Sequence, residues 1–380
     1  MDFSQSMKPT VGMEIELQLL DEHSLDLMAG IMPLMEFFPD NSAVKPELIQ
    51  SCVEINSVIC RNSAEATQGI LHTLVKVRRR CDELGMRMCG AGTHAFGKKL
   101  GLITRQPRFI DMKSNFGLVS RNQQTFATHV HIGMPSGNMA MFAMRHLIPC
   151  MPVLLAISAN SPFWRGYHTA HASYRHRILA AAPNYGLPPY FEDWGDFVRF
   201  FQMAQRADVF STFKDIHWDI RPHPDFGTLE LRVMDAASTV GTAGAIAAFA
   251  RSLVVYLIEH ASVDLAEWPV IRLPRWIEEI NCFQASNRGL GANYISNEKG
   301  EVRPLRDLVS ELIDLVKPVA QRIGEARGIS ALESFLTEGA GYQRQLQEFE
   351  RSESYFKTTE SLADLLDREI GEALGANSAH

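Results

Sequence analysis

Residues 10–20 read Thr-Val-Gly-Met-Glu-Ile-Glu-Leu-Gln-Leu-Leu. Val11, Met13, Ile15, Leu17 and Leu19 are apolar, and Glu14, Glu16 and Gln18 fall between them. Alternation with period two is the mark of a strand with one face in a core and the other in a wet space. The wet face is unusual. Two carboxylates two residues apart point the same way, roughly 7 Å apart along a strand. Like charges so placed repel, and glutamate is depleted in strands.

Four later stretches repeat the design. Residues 50–59 set Val53 and Ile55 against Cys52, Glu54 and Asn56, and residues 123–134 carry His129 and His131 on one face. Residues 216–222 set His217, Asp219 and Arg221 against Trp218 and Ile220. Residues 226–234 set Thr228, Glu230 and Arg232 against Leu229, Leu231 and Val233. The gap between these last two has the length of a hairpin turn. Each pair alone is compatible with a solvated face or a cross-strand ion pair. Five together predict one sheet whose ionisable face surrounds a ligand.

Helical patterns are spread along the chain. Residues 25–38 carry an apolar stripe. Asn62 followed by Glu65 resembles a capping box opening a helix that Gly85 closes. Residues 139–158 predict a buried helix bent near Pro149 and Pro152, and residues 244–260 a second buried helix. From Pro304 onward the pattern is helical in blocks. These features predict an α+β fold: a mostly antiparallel sheet with helices on its apolar face. No linker or repeat divides it, so a single catalytic domain over 1–380 is expected. Its sheet would come mainly from 10–134 and 209–235, with a helical C-terminal part at 303–375.

Composition narrows the function. The 380 residues are 46% hydrophobic and 21% charged with a net charge of −7, which gives no basic footprint for nucleic acid. The six cysteines form no Cys-x-x-Cys pair. The N-terminus has no apolar leader, and the longest apolar run is interrupted by Arg251. A reduced, cytoplasmic protein with no membrane partner is expected.

The ionisable set itself names a chemistry. Burying glutamates, histidines and arginines together without cations and anions would be costly. Carboxylates with one or two imidazoles and no thiolate suit Mg²⁺ or Mn²⁺, and arginine forks suit phosphate. Magnesium with few protein carboxylates and substrate phosphates leads to ATP. Neither a Walker loop nor Gly-x-Gly-x-x-Gly is present, so side chains and cations would hold the phosphates.

Several motifs in fixed order resemble one family. VGMEIELQLLD, SCVEINS, AGTHAF, THVHIG, SANSPFWRGYHTAHASYRHRI, HWDIRPHPDFGTLELRVMD and NCFQASNRGLGA are similar to the glutamate–cysteine ligase type 2 family, in particular its YbdK-type carboxylate–amine ligase branch. The resemblance runs from about Thr10 to Ile370. It implies a glutamine-synthetase-like curved sheet and ATP-dependent amide formation, of the γ-glutamyl type, through an acyl phosphate. An amino-acid carboxylate, typically that of glutamate, would be joined to an amine such as cysteine. Carried over, Glu14, Glu16, Glu54, Glu230 and His131 (ahead of His129) look like metal ligands. Arg221 and Arg232 look like the contacts that stabilise transferring phosphate. His129, Arg175, Arg177 and Arg288 are assigned to substrate or nucleotide. The resemblance and the long apolar helix also suggest a homodimer.

Two rival readings stand beside this one. A metal-dependent amide hydrolase would use His129 and His131 as a ligand pair. A non-catalytic nucleotide-binding protein would keep the fold without turnover.

Overall fold

The computed structural model describes residues 1–39, 42–262 and 265–377. Its main sheet is built from β1 (Val11–Asp21), β2 (Val44–Pro46), β3 (Cys52–Asn56), β4 (Met86–Cys89), β5 (Thr128–Gly133), β6 (Ile220–His223) and β7 (Thr228–Leu231). The order is β6-β7-β5-β1-β3-β2, and β4 pairs with the far end of β1. Every pairing is antiparallel. The α+β class expected from the alternation is present, and β1 is the strand around which the sheet is assembled.

Val11, Met13, Ile15, Leu17 and Leu19 are each at most 1% exposed. Burying a side chain of this kind stabilises the fold by about 1.5–3 kcal/mol, so the phase of β1 is strongly specified. Helices Ser63–Glu83 and Val240–Glu259 pack against this face. The first is capped by Asn62, whose side chain accepts the Glu65 N–H at 2.9 Å. The reciprocal arm of the expected capping box lands one residue early: the Glu65 carboxylate accepts from the Arg61 N–H at 2.9 Å. The predicted bend is a 3₁₀ turn, Ile148–Cys150, between helices Gly137–Leu147 and Met151–Ser158. Residues 137–158 and Val240–Glu259 are long and apolar enough to cross a membrane, but 83% of each apolar window is buried inside the fold. They are the core helices of this molecule.

Two local expectations differ from the structure. Residues 25–38 are helical only at Ile31–Met35. Leu27 bridges to Leu20 and the Met28 N–H donates to the Leu19 carbonyl, so this segment runs beside β1 and pairing overrides helix propensity. Residues 216–222 are not one strand. His217–Trp218 pairs in parallel with Tyr185–Gly186, and the ladder breaks at Asp219, whose carbonyl accepts from both Arg232 and Val233. Two residues opposing one is the signature of a bulge. It turns the Asp219 carboxylate away from the expected face and onto His176, 3.3 Å away.

Candidate active site

Strand register decides which side chains meet. Directly opposed residues of antiparallel strands share a face. Glu14 opposes Asn56 of β3 on one side and His129 of β5 on the other. Glu16 opposes Glu54, which Lys45 opposes from β2. His131 opposes Glu230, which opposes Arg221. Glu14, Glu16, Glu54, His129, His131, Arg221 and Glu230 are therefore gathered on one face of five neighbouring strands. Arg232, just past β7, joins them through its bond to Glu230.

The distances divide this cluster into groups. His129 Nδ1 lies 3.1 Å from a Glu14 oxygen, and its Nε2 is 3.9 Å from Glu16. His131 Nε2 lies 3.4 Å from Glu14 and 3.8 Å from Glu230. That nitrogen is buried and has no hydrogen-bond partner, whereas His131 Nδ1 meets the Thr228 hydroxyl at 3.0 Å. Ligand atoms of Glu16, Glu54 and His129 lie within 4.8 Å of one another, as do those of Glu14, His129 and Glu230. In the tautomer that donates from Nδ1 to Glu14, the Nε2 lone pair of His129 is left for the Glu16–Glu54 group. The resemblance had favoured His131 over His129, yet it is His129 that belongs to both groups. Both imidazoles reach Glu14, His129 through Nδ1 and His131 through Nε2, and His131 also lies 3.8 Å from Glu230.

Charge is distributed unevenly. Burial, then the charge of Glu47, pushes the Glu16 carboxyl up to about 8. Burial, then Glu14 and Glu47, raises Glu54 well above the usual carboxylate range. Among the described residues, the cation paired with it is Lys45, 3.7 Å away and half-exposed. Burial also raises Glu14 and Glu230, but neighbouring cations outweigh it and hold both well below the usual range. For Glu14 the cation is His131, helped by the hydrogen bond from His129; for Glu230 they are Arg221 and Arg232. Burial and then Arg232 lower His129 to about 4, so it is neutral at pH 7. His131 is raised, because Glu230 and Glu14 outweigh its burial. A pair of carboxylates facing each other with raised pKa values is a place short of positive charge.

The two arginines differ. Arg221 is braced on all sides. Its Nε donates to Glu230 at 2.7 Å, Nη2 donates to the same carboxylate at 3.4 Å, and Nη1 donates to the carbonyls of Ile216, Lys214 and Phe213. Arg232 donates to Glu230 through Nη1 alone.

Above this face is a cavity of about 450 Å³ lined by Glu14, Glu16, Glu54, His129, Arg175, Arg221 and Arg232. His131 and Glu230 lie beneath its wall. Arg177 stacks its guanidinium over the Phe283 ring at 5.2 Å, outside the lining. Arg288 is exposed at the end of helix Arg275–Arg288, and its carbonyl accepts from the Tyr342 hydroxyl at 3.4 Å. Lys45, Glu47 and Tyr185 line the cavity without having been singled out from the sequence. Tyr185 stacks on His217 at 4.8 Å. For Lys45 and Glu47 the signal was the same two-residue spacing, in a segment too short to display an alternation.

The sequence profile of glutamate-cysteine ligase family 2 matches residues 10–364. A protein of Trichormus variabilis, named as a candidate glutamate–cysteine ligase 2, is 42% identical over 369 residues, covering 97% of this chain and 95% of that one. A protein of Mycolicibacterium smegmatis with a similar name is 32% identical over 372 residues, 98% of this chain and 96% of that one. Among solved structures, the glutamate–cysteine ligase of Francisella tularensis in complex with AMP superposes with a TM-score of 0.69. That match covers 100% of this chain and 95% of that one at 11% identity, a likeness of fold.

Proposed function

The chain belongs to glutamate-cysteine ligase family 2, and from that premise we propose that this carboxylate–amine ligase runs on ATP through an acyl-phosphate intermediate. The observation that carries the reading is the Glu16–Glu54 pair, directly opposed across two strands with raised pKa values, in one cavity with the arginines Arg175 and Arg232. AMP bound in the Francisella tularensis structure supports a nucleotide site in this fold.

The donors fit hard divalent cations. Glu16, Glu54 and His129 would hold one, and Glu14 and Glu230 a second, with His131 Nε2 3.4 and 3.8 Å from their oxygens as a further donor once it gives up its proton. Mg²⁺ or Mn²⁺, when bound, neutralises polyphosphate charge and orients the γ-phosphoryl group.

An amine does not displace oxide from a carboxylate, so the acid must first be given a leaving group. A carboxylate oxygen of the acid, with glutamate as reference, attacks the γ-phosphorus of ATP and ADP departs. The amine, with cysteine as reference, then attacks the acyl carbon, inorganic phosphate departs and an amide forms. Arg232 has N–H donors beyond the one given to Glu230, and it aims them at the charge that develops on the transferred group. Arg221 holds Glu230 in place, and neutral His129 keeps a lone pair available. Arg175 holds an anionic group of the substrates.

A screen of ADP release tests the reading. ATP and Mg²⁺ with glutamate are crossed against cysteine, other amino acids and simple amines. Release that needs both an acid and an amine is expected. Turnover of amides without nucleotide, or tight ATP binding with no ADP formed across the panel, would sink the reading.

The raised carboxyls also set a pH dependence. Cation binding needs carboxylates, and below about 8 Glu16 holds a proton in the free enzyme. Binding therefore releases protons, and affinity should rise with pH through neutrality. Each proton released adds about tenfold per pH unit. Calorimetric titration with Mn²⁺ at several pH values checks this. An affinity that is flat from pH 6.5 to 8.5 would remove Glu16 from the ligand set.

A further inference from the structure

Asp235 forms no part of the cavity lining, yet it organises a stretch of chain that reaches it. The residue is fully buried at 0% exposure. Its Oδ2 accepts the Asn160 N–H at 2.8 Å and the Ser161 hydroxyl at 2.7 Å, and its Oδ1 accepts the Ser173 hydroxyl at 2.8 Å. These donors come from the two ends of the segment 160–175, which is closed by a bridge between Ser161 and Ser173. The Ser161 oxygen in turn accepts the Arg175 N–H at 3.1 Å. The clamp is tight enough to dictate residue 92. A Cβ on Gly92 would lie 2.6 Å from the Asp235 Cγ, so glycine is what lets the two chains approach.

The clamp delivers Arg175. Its Nη1 and Nη2 donate to the carbonyls of Val233 and Arg232 at 3.1 and 3.2 Å, and Nη1 lies 4.0 Å from Asp235. The guanidinium is thus fixed from behind, by a carboxylate and two carbonyls. Its Nε is buried with no partner, and the side chain lines the cavity. A buried N–H without an acceptor is costly, and an anion in the cavity would supply one.

We propose that Asp235 is a positioning residue for ligation: it clamps the segment 160–175 so that Arg175 presents its guanidinium to an anionic oxygen of the bound substrates. That oxygen belongs to a nucleotide phosphate or to the carboxylate of the acid. The proposal rests on the reading of the cavity as the ligase site.

A double-mutant cycle read by binding tests it. Asp235→Asn keeps the shape and loses the charge. Ser173→Ala removes one of the three donors and keeps the carboxylate, which makes it the milder probe if the first variant folds poorly. Mg²⁺ with a non-hydrolysable ATP analogue is titrated by calorimetry, and glutamate is then titrated in its presence. The two arms separate phosphate from carboxylate. Each variant should weaken one of these ligands, Asp235→Asn by about tenfold or more. With Arg175 already replaced by alanine, the same substitutions should add less than about twofold, because coupled residues are not additive. Equal losses in both backgrounds would mark a general structural role and overturn the proposal, as would unchanged affinity in both variants. A wild type that binds both ligands but never releases ADP from ATP sinks the ligase reading instead, and the binding cycle still decides Asp235. A wild type that binds neither ligand overturns both.

Discussion

Glu54→Gln is expected to lower metal-dependent ATP turnover by roughly 10³-fold or more while leaving the metal-free protein at least as stable to heat. The two halves of this expectation have one cause. Glu54 is buried opposite Glu16, its carboxyl is raised by burial and by Glu14 and Glu47, and Lys45 at 3.7 Å is a weak counterweight. A group whose pKa is raised on folding contributes stability below its unfolded pKa and loses it as pH rises through the folded value. Without a cation, the wild type therefore pays increasingly for an ionised Glu54 as pH rises, and glutamine does not. The variant's melting temperature should match the wild type in acid and equal or exceed it at pH 8. Added Mg²⁺ should raise the wild-type melting temperature more than the variant's, because the variant keeps only the group at Glu14 and Glu230. Near-normal turnover in the variant would show that this face of β3 does not hold the metal. Glu230→Gln is a poorer probe. Glu230 is buried against Arg221 and Arg232, and glutamine would leave two guanidiniums short of their counter-charge.

How much of this was legible depends on what each inference needed. The period of β1 needed only the sequence, because five apolar side chains sinking into a core admit one phase. The antiparallel sheet and its ionisable face followed from repeating that pattern. Which residues meet across strands is a different matter. Periodicity assigns a face but not a register, and register is what brings His129 level with Glu14 and places His131 level with Glu230. Asp219 shows the second limit. One bulge turned a carboxylate that alternation had placed beside His217 and Arg221 onto His176. Residues 25–38 show the third, since a helical stripe yielded to pairing along β1. Asp235 was within the sequence's reach only as one more acidic residue after a strand. Its role comes from Asn160, Ser161, Ser173 and Gly92, which are distant in the chain and converge only in the fold. Arg177 and Arg288 were drawn from motifs whose order resembles the family, but local geometry points Arg177 to Phe283 and leaves Arg288 exposed.

Arg232→Lys should cost about 10²–10³-fold in turnover with little change in melting temperature, whereas Arg221→Lys should do the reverse. From sequence the two look equivalent, two residues of opposite sign to Glu230 on neighbouring strands. Their surroundings separate them. Arg221 spends Nε and Nη2 on Glu230 and Nη1 on three backbone carbonyls that close the end of the segment before β6. A lysine has one point of attachment and cannot satisfy a carboxylate and those carbonyls together, so the loss falls on the fold. Arg232 gives only Nη1 to Glu230, and the residue lines the cavity. Burial depresses His129, and the Arg232 charge adds to it, which keeps that imidazole neutral. Lysine would preserve the charge, and with it the state of His129 and most of the stability. It would lose the planar fork that can hold Glu230 with one arm and meet a phosphoryl oxygen with another. The defect should therefore appear in kcat more than in KM for ATP, because the developing charge is present only as the phosphoryl group transfers. Steady-state ADP release and thermal melts on the two variants decide the matter. Equal losses of turnover at equal stability would place both arginines on the phosphate, and an active Arg232→Lys would remove Arg232 from the transfer step.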